Sequence, residues 1–226
     1  MEAIILAGGF GKRLKSKIKD IPKPMAPING RPFLEYIMQK LLNYGFDHVV
    51  LSVGYKSEVI SDYFGDNYFG IRISYVRETS PLGTGGAIKL ALTKSKEDHI
   101  FIINGDTYFD IDFLQIDRYW QLHKKPIIVA TNVSDCSRYG TLTVHKEFVT
   151  SFQEKGCDLS GIINSGYYLF PVNLFDNIKL NKSFSLEKEF LKKYIITGKI
   201  MFIIADGLFI DIGIPEDYEI AQKVIK

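Results

Sequence analysis

The stretch that most constrains this chain is its first thirty residues. Glu2-Ala-Ile-Ile-Leu6 is an apolar run short enough for a buried strand, and Ala7-Gly8-Gly9-Phe10-Gly11-Lys12-Arg13 follows it directly. Gly8, Gly9 and Gly11 permit a sharp turn whose backbone can approach a ligand without interference from Cβ atoms. Successive N–H groups in such a turn form a nest for anions, and Lys12, Arg13 and Lys23 bring positive charge to the same place. Strand, glycine turn and cations together point to a polyphosphate site. The pattern is not a P-loop, because no G-x-x-x-x-G-K-[ST] occurs, and its glycines lack the G-x-G-x-x-G spacing of a dinucleotide fingerprint. A bland reading stands beside it: a strand-to-loop connection whose Lys and Arg face water.

The rest of the composition narrows the class. At 226 residues the chain suits one large α/β domain, residues 1–226. Lys and Arg number 28 against 26 Asp and Glu, a net charge of +2, so no global field argues for nucleic acid or an anionic membrane. No apolar run approaches the roughly 20 residues of a membrane span. An acidic Glu2 leading straight into a strand argues against a secretory signal, and a cytoplasmic location is expected. Cys136 and Cys157 make neither a C-x-x-C nor a disulfide framework, and are expected as two separate buried thiols.

In order along the chain, Pro32 opens a helical pattern that closes near Gly45, His48–Val53 reads as a strand, and a short helix ends at Phe64 before Gly65. Ile71–Val76 alternates as a strand. This β–α–β–α–β order implies a mostly parallel sheet with a ligand site at the carboxyl ends of its strands. Ile100–Ile103 is a continuous apolar run, the mark of a strand buried on both faces, and it ends in Asn104-Gly105-Asp106. A carboxylate at that position points into the cleft where the glycine turn should lie. Asp110 and Asp112 are nearby alternatives, read as a turn residue and a helix N-cap. None of the four histidines has a partner at metal spacing, so all are read as structural. The second half departs from simple alternation, with strands expected over 126–132, from Thr141 and over 149–155. A short helix is expected over 171–177, and a longer one capped by Ser185 runs to Gly198.

As strings, L-A-G-G-F-G-K-R-L and P-K-P-M-A-P-I-N-G-R-P resemble the opening signature of the sugar-1-phosphate nucleotidylyltransferases. The resemblance implies that Leu6, Ala7, Gly8, Gly9 and Gly11 hold a nucleoside triphosphate, that Arg13 grips its phosphates and that Lys23 sits on the α-phosphate. E-x-x-P-L-G-T-G-G-A, from Glu78 through Gly83 and Thr84, is similar to the family's base-reading loop, which usually reads G-T-A-G. Small residues there would let a flat base lie on backbone, and the Glu78 carboxylate could accept both N1–H and N2–H₂ of guanine; GTP is therefore favoured among triphosphates. Gly105 and Asp106 match the family's N-G-D element, whose Asp binds Mg²⁺, and Asp211 in F-I-D-I-G-I-P-E-D-Y matches the second Mg²⁺ ligand, with Ile214 in place of Thr. Oxygen ligands are what that ion requires. On the acceptor side the resemblance assigns Gly140, Glu154 and Lys155 of F-x-E-K, Asn164 of I-N-x-G-x-Y, and Glu187 to the sugar 1-phosphate. A Glu187 that merely complements the helix dipole is equally consistent with its place in a first helical turn.

The implied fold is a single Rossmann-like, three-layer α/β domain with a mostly parallel mixed central sheet and a small antiparallel excursion for the sugar. Its nucleotide-binding half covers about 1–110 and its sugar-phosphate half about 111–226. The implied activity is in-line transfer of a nucleoside monophosphate to a sugar 1-phosphate, by a monomer or homodimer with Mg²⁺ as cofactor. Arg13, Lys23, Asp106 and Asp211 would carry the catalysis. Within the family the strings are most similar to the branch that activates heptose 1-phosphates with GTP; branches using mannose 1-phosphate, or uridylyl transfer to other sugars, are the alternatives. A non-catalytic, sugar-nucleotide-binding relative should have lost one of those four residues, and all four are present.

Overall fold

A computed structural model describes residues 1–9, 20–78, 80–154 and 160–225. In chain order the elements are β1 (Glu2–Leu6), β2 (Pro27–Ile28), β3 (Arg31–Pro32), α1 (Phe33–Asn43), β4 (His48–Val53), α2 (Ser57–Phe64), β5 (Asn67–Tyr68), β6 (Ile71–Arg77), α3 (Gly83–Leu92) and β7 (His99–Asn104). There follow β8 (Thr107–Phe109), α4 (Phe113–His123), β9 (Ile127–Val133), β10 (Gly140–His145), β11 (Phe148–Glu154) and β12 (Gly161–Pro171). A π-helical turn, Leu186–Leu191, leads into α5 (Lys192–Thr197), and β13 (Met201–Ile204), β14 (Phe209–Asp211) and α6 (Pro215–Val224) complete the chain.

Among the described residues ten strands form one mixed sheet in the order β10-β11-β13-β9-β12-β7-β1-β4-β6-β5. Its centre is parallel: β1 pairs with β7 on one side and β4 on the other, and β4 pairs with β6. Neighbouring residues of the central strands bury on opposite faces. Ile5, Phe101 and Ile103 belong to one apolar layer, while Ile4, Ile100 and Ile102 belong to the other. Continuous apolar runs in β1 and β7 follow from that double burial, since neither face meets water. Each fully buried Ile or Phe contributes about 1.5–3 kcal/mol by leaving water.

Several details differ from the sequence expectation. Pro32, read as opening the helix, is its N-cap directly ahead of Phe33 and also pairs in the short strand β3. The short helix expected over 171–177 is a 3₁₀ turn, Val172–Phe175. The antiparallel excursion is not set apart: β12 pairs antiparallel with both β7 and β9, so the second half extends the central sheet. Asp112 caps α4 by accepting from the Gln115 N–H at 3.0 Å, as read from the sequence, whereas Asp110 forms an ion pair with Lys40. His48 lies between Glu2 and Ser74, and His99 lies between Asp98 and Asp117 against the Trp120 ring, so both serve the core. Cys136 is buried; Cys157 lies outside the described residues. Among the described residues no helix is long and apolar enough to cross a membrane.

Candidate active site

Parallel register brings the carboxyl ends of β1, β4 and β7 level with one another, Leu6 opposite both Ser52 and Asn104. The chain leaves all three strands on the same side. Close approach of these exits requires glycine: a Cβ on Gly105 would stand 2.8 Å from the Leu6 carbonyl oxygen, and one on Gly54 would stand 3.0 Å from that of Gly8. The exits and the start of α3 enclose a cavity of about 350 Å³, lined by Leu6, Gly8, Gly9, Lys23, Ser52, Glu78, Gly83, Thr84, Asn104 and Asp106 among others. Ala7 is turned into the core and its N–H donates to the Ser52 carbonyl, so its contribution is to hold the turn. Gly105 likewise acts through its backbone, donating to the Leu6 carbonyl at 3.0 Å. Gly11 and Arg13 lie outside the described residues.

A second cavity of about 340 Å³ adjoins the first and shares Asn104 with it. Gly140, Asn164, Glu187 and Asp211 line it, together with Arg138, Phe152 and Tyr168. Gly140 has no room for a larger residue, since a Cβ would meet the Phe152 ring at 2.6 Å. The Asn164 amide is engaged in the bulge that breaks the β12–β9 register: its NH₂ donates to the Tyr168 hydroxyl at 2.7 Å and its oxygen accepts from the Gly166 N–H at 3.1 Å. Glu154 ends β11 and Lys155 lies outside the described residues.

Two carboxylates stand at the junction. β14 pairs antiparallel with β8, which places Asp211 opposite Thr107, and the Ile212 N–H donates to the Asp106 carbonyl at 3.0 Å. Tyr167 steadies this ribbon from the core, its hydroxyl donating to the Thr107 carbonyl and accepting from the Phe109 N–H. Lys23, on a 3₁₀ turn after Pro22, reaches the Asp106 carboxylate at 2.5 Å and that of Asp211 at 3.7 Å. Burial and the neighbouring Asp106 push the Asp211 carboxyl up to about 6. Asp211 Oδ1 is buried without a hydrogen-bond partner. An orphaned oxygen beside a second carboxylate fits a hard cation better than it fits an empty core. Among the described residues no group of three or more His, Cys, Asp and Glu converges, so phosphate and water oxygens would complete such a coordination sphere.

The glycine-rich loop serves a purpose that sequence reasoning did not assign to it. Gly83 and Thr84 line the first cavity, but Gly85 and Gly86 are buried against the segment around Phe184. A Cβ on Gly85 would overlap the Phe184 ring at 2.1 Å, and one on Gly86 would stand 2.7 Å from the Lys182 carbonyl oxygen. These two small residues therefore admit another part of the chain, not a base. Glu78 does line the cavity, yet its Oε2 already accepts from the Leu82 N–H at 2.7 Å. Its Oε1 faces Gly8, at 3.4 Å from where a Cβ would be. Sequence reasoning also missed Asn104 as the residue common to both cavities. The signals for it were its position at the end of the central strand and its place as the Asn of the N-G-D element.

The chain is similar to known proteins along nearly its whole length. The D-glycero-alpha-D-manno-heptose 1-phosphate guanylyltransferase of Aneurinibacillus thermoaerophilus is 45% identical over 227 residues, covering 100% of this chain and 99% of that protein. The enzyme of the same name from Campylobacter jejuni is 48% identical over 220 residues, covering 96% and 97%. The crystal structure of HddC from Yersinia pseudotuberculosis complexed with GMP-PN superposes with a TM-score of 0.89 at 40% identity, covering 100% of this chain and 99% of that one. The nucleotidyl transferase family model matches residues 2–226. With two adjoining cavities and a carboxylate pair at their junction, the chain belongs to the nucleotidyl transferase family, as a sugar-1-phosphate nucleotidylyltransferase.

Proposed function

We propose that this protein transfers GMP from GTP to D-glycero-α-D-manno-heptose 1-phosphate, giving GDP-heptose and pyrophosphate, in the cytoplasm where GTP is supplied. The observation that carries the reading is the meeting of two cavities at Lys23, Asp106 and Asp211, each cavity large enough for half of a two-substrate reaction. Similarity to two heptose 1-phosphate guanylyltransferases over nearly their full lengths supports the choice of base and sugar.

In this reading the triphosphate occupies the first cavity and the sugar 1-phosphate the second. An oxygen of the sugar phosphate attacks the α-phosphorus of GTP. The bond from that phosphorus to the bridging oxygen breaks, and its electron pair leaves with pyrophosphate. No protein nucleophile or base is needed, because the attacking group is already an anion. Two anions must nevertheless be brought together, so the chain's work is positioning and charge neutralisation. Lys23 would neutralise charge building on the α-phosphate, and the resemblance gives Arg13 to the departing pyrophosphate and Lys155 to the attacking phosphate. Asp106 and Asp211 would hold a Mg²⁺ ion, which when bound supplies Lewis-acid stabilisation of the α-phosphate. Glu78 offers Oε1 to the guanine edge while Oε2 remains on Leu82.

Pyrophosphate release measured with GTP, ATP, CTP, UTP and dTTP against a panel of sugar 1-phosphates tests the proposal. GTP with the heptose 1-phosphate should give the highest kcat/KM. Preference for mannose 1-phosphate or for UTP would replace this reading with one of its alternatives. No turnover with any pair would leave a binding protein.

A further inference from the structure

The loop that closes the first cavity and the segment that closes the second are zipped together. Phe184 N–H donates to the Leu82 carbonyl at 2.9 Å, and the Phe184 carbonyl accepts from the N–H groups of Gly85 and Gly86 at 3.1 and 3.3 Å. Gly83, at φ +70°, is required for this contact, because a Cβ there would stand 2.6 Å from the Phe184 oxygen. A side-chain bond completes the zip. The Thr84 hydroxyl accepts from the Leu186 N–H at 2.9 Å and donates to Glu187 Oε2 at 2.9 Å. Thr84 lines the first cavity and Glu187 the second. The two oxygens of Glu187 are used differently. Oε2 takes the hydroxyls of Thr84 and Ser185, whereas Oε1 is met by the Tyr168 hydroxyl at 3.4 Å, too long for a strong O–H···O bond. Oε1 is therefore the oxygen available to a ligand in the second cavity.

We propose that Glu187 is a positioning residue for the nucleotide loop: a carboxylate in the acceptor cavity that sets donor affinity through Thr84. The proposal rests on the guanylyl-transfer reading. Thr84 stands in the first turn of α3, and its single hydroxyl proton has one place to go while Glu187 accepts it. That bond fixes the Thr84 rotamer and ties the 83–86 loop to the segment around Phe184–Glu187. The cavity is then preorganised before the nucleotide arrives, and preorganisation appears as affinity.

The test is the Kd of α,β-methylene-GTP, which cannot release pyrophosphate, measured on the full chain without acceptor. Wild type is compared with Thr84→Val, Thr84→Ser, Glu187→Ala and the Thr84→Val/Glu187→Ala double variant. Thr84→Val, which also removes the acceptor of the Leu186 N–H, and Glu187→Ala, which also releases the Ser185 hydroxyl, should each weaken the analogue about 3–10-fold through the Thr84–Glu187 bond they share. The double variant should lose clearly less than the sum of the two single losses, since both remove the same Thr84–Glu187 bond. Thr84→Ser, which keeps the hydroxyl, should retain affinity. If Glu187→Ala does not fold, Glu187→Asp, with its charge withdrawn by one methylene, reads the same effect across the cavities. An analogue Kd within twofold of wild type in Glu187→Ala, alongside weakened heptose 1-phosphate binding, would overturn the proposal and leave the guanylyl-transfer reading standing. Additive losses in the double variant, or a lower Tm with unchanged Kd, would also overturn it. Failure of wild type to bind the analogue would overturn both.

Discussion

Asp211→Asn is expected to make the protein more stable and nearly inactive at once. The pairing of β14 with β8 delivers the Asp211 carboxylate into the junction beside Asp106, where Oδ1 has no hydrogen-bond partner and Lys23 stands 3.7 Å away. Burial, then repulsion from Asp106, raise this carboxyl from 3.8 to about 6. A carboxylate with a raised folded-state pKa opposes folding. The cost is absent below the unfolded value, grows between 3.8 and 6, and is fully present above 6. At pH 7.5 a shift of roughly two units corresponds to a ceiling of about 3 kcal/mol. Asn keeps the shape and removes the charge, but its amide must still find partners, so a net gain of about 1–2 kcal/mol is expected, at roughly 2–4 °C of Tm for each. On the proposed reading, in which Asp106 and Asp211 together hold a cation at the α-phosphate, activity should fall on the order of a hundredfold or more in kcat. Denaturant unfolding in EDTA at pH 7.5 and again near pH 5, with pyrophosphate release measured alongside, checks both halves. The stability gain should shrink at the lower pH. A variant less stable than wild type in EDTA at pH 7.5 would refute the reasoning, as would one that keeps full activity.

Further outcomes follow from other parts of the molecule. Glu78→Gln keeps an acceptor for the Leu82 N–H but turns an NH₂ toward a guanine donor, so kcat/KM for GTP should fall about 5–100-fold while UTP and dTTP gain relative to it. An unchanged ranking of bases would move selection to backbone groups around 6–8 or 83–86. Gly85→Ala should lower Tm by displacing the Phe184 ring, an overpacking cost of about 1–3 kcal/mol, and should weaken both substrates together. A loss confined to GTP would show that the glycine seats the base after all. Burial opposes the charge on Glu2, but hydrogen bonds from Ser95, His48, and the N–H groups of Lys96 and Glu97 outweigh it and hold the carboxyl near 2. Its contribution, about 3 kcal/mol, is therefore present above pH 4.5 and is lost as pH falls toward 2. Glu2→Gln should flatten the acid limb of stability against pH, read by urea unfolding between pH 3 and 7.

Much of this protein was determined by its sequence alone, because the relevant physics is local. Apolar runs within Glu2–Leu6 and at Ile100–Ile103, and the glycines after the first of them, read as strands and a turn because burial on both faces and backbone freedom depend on residue type. Ser185 and Asp112 read as helix caps because a cap acts within three residues. Motif order pointed to Lys23, Asp106 and Asp211, which lie 188 positions apart at the extremes and yet meet at one junction. What the tertiary structure decided is everything that depends on which distant segments pack together. The glycines of the 83–86 loop looked like a seat for a base, but Gly85 and Gly86 admit Phe184, a contact across about a hundred residues that no local pattern encodes. Glu78 looked free to take two donors from guanine until the loop folded back and placed the Leu82 N–H on one of its oxygens. Asn104 and the bond between Thr84 and Glu187 acquire meaning only when strands β7 and β12 pair and set two cavities side by side. Residue types determine what each group can offer; the packing of the sheet determines which groups have already been used by the protein itself, and so what remains for a ligand.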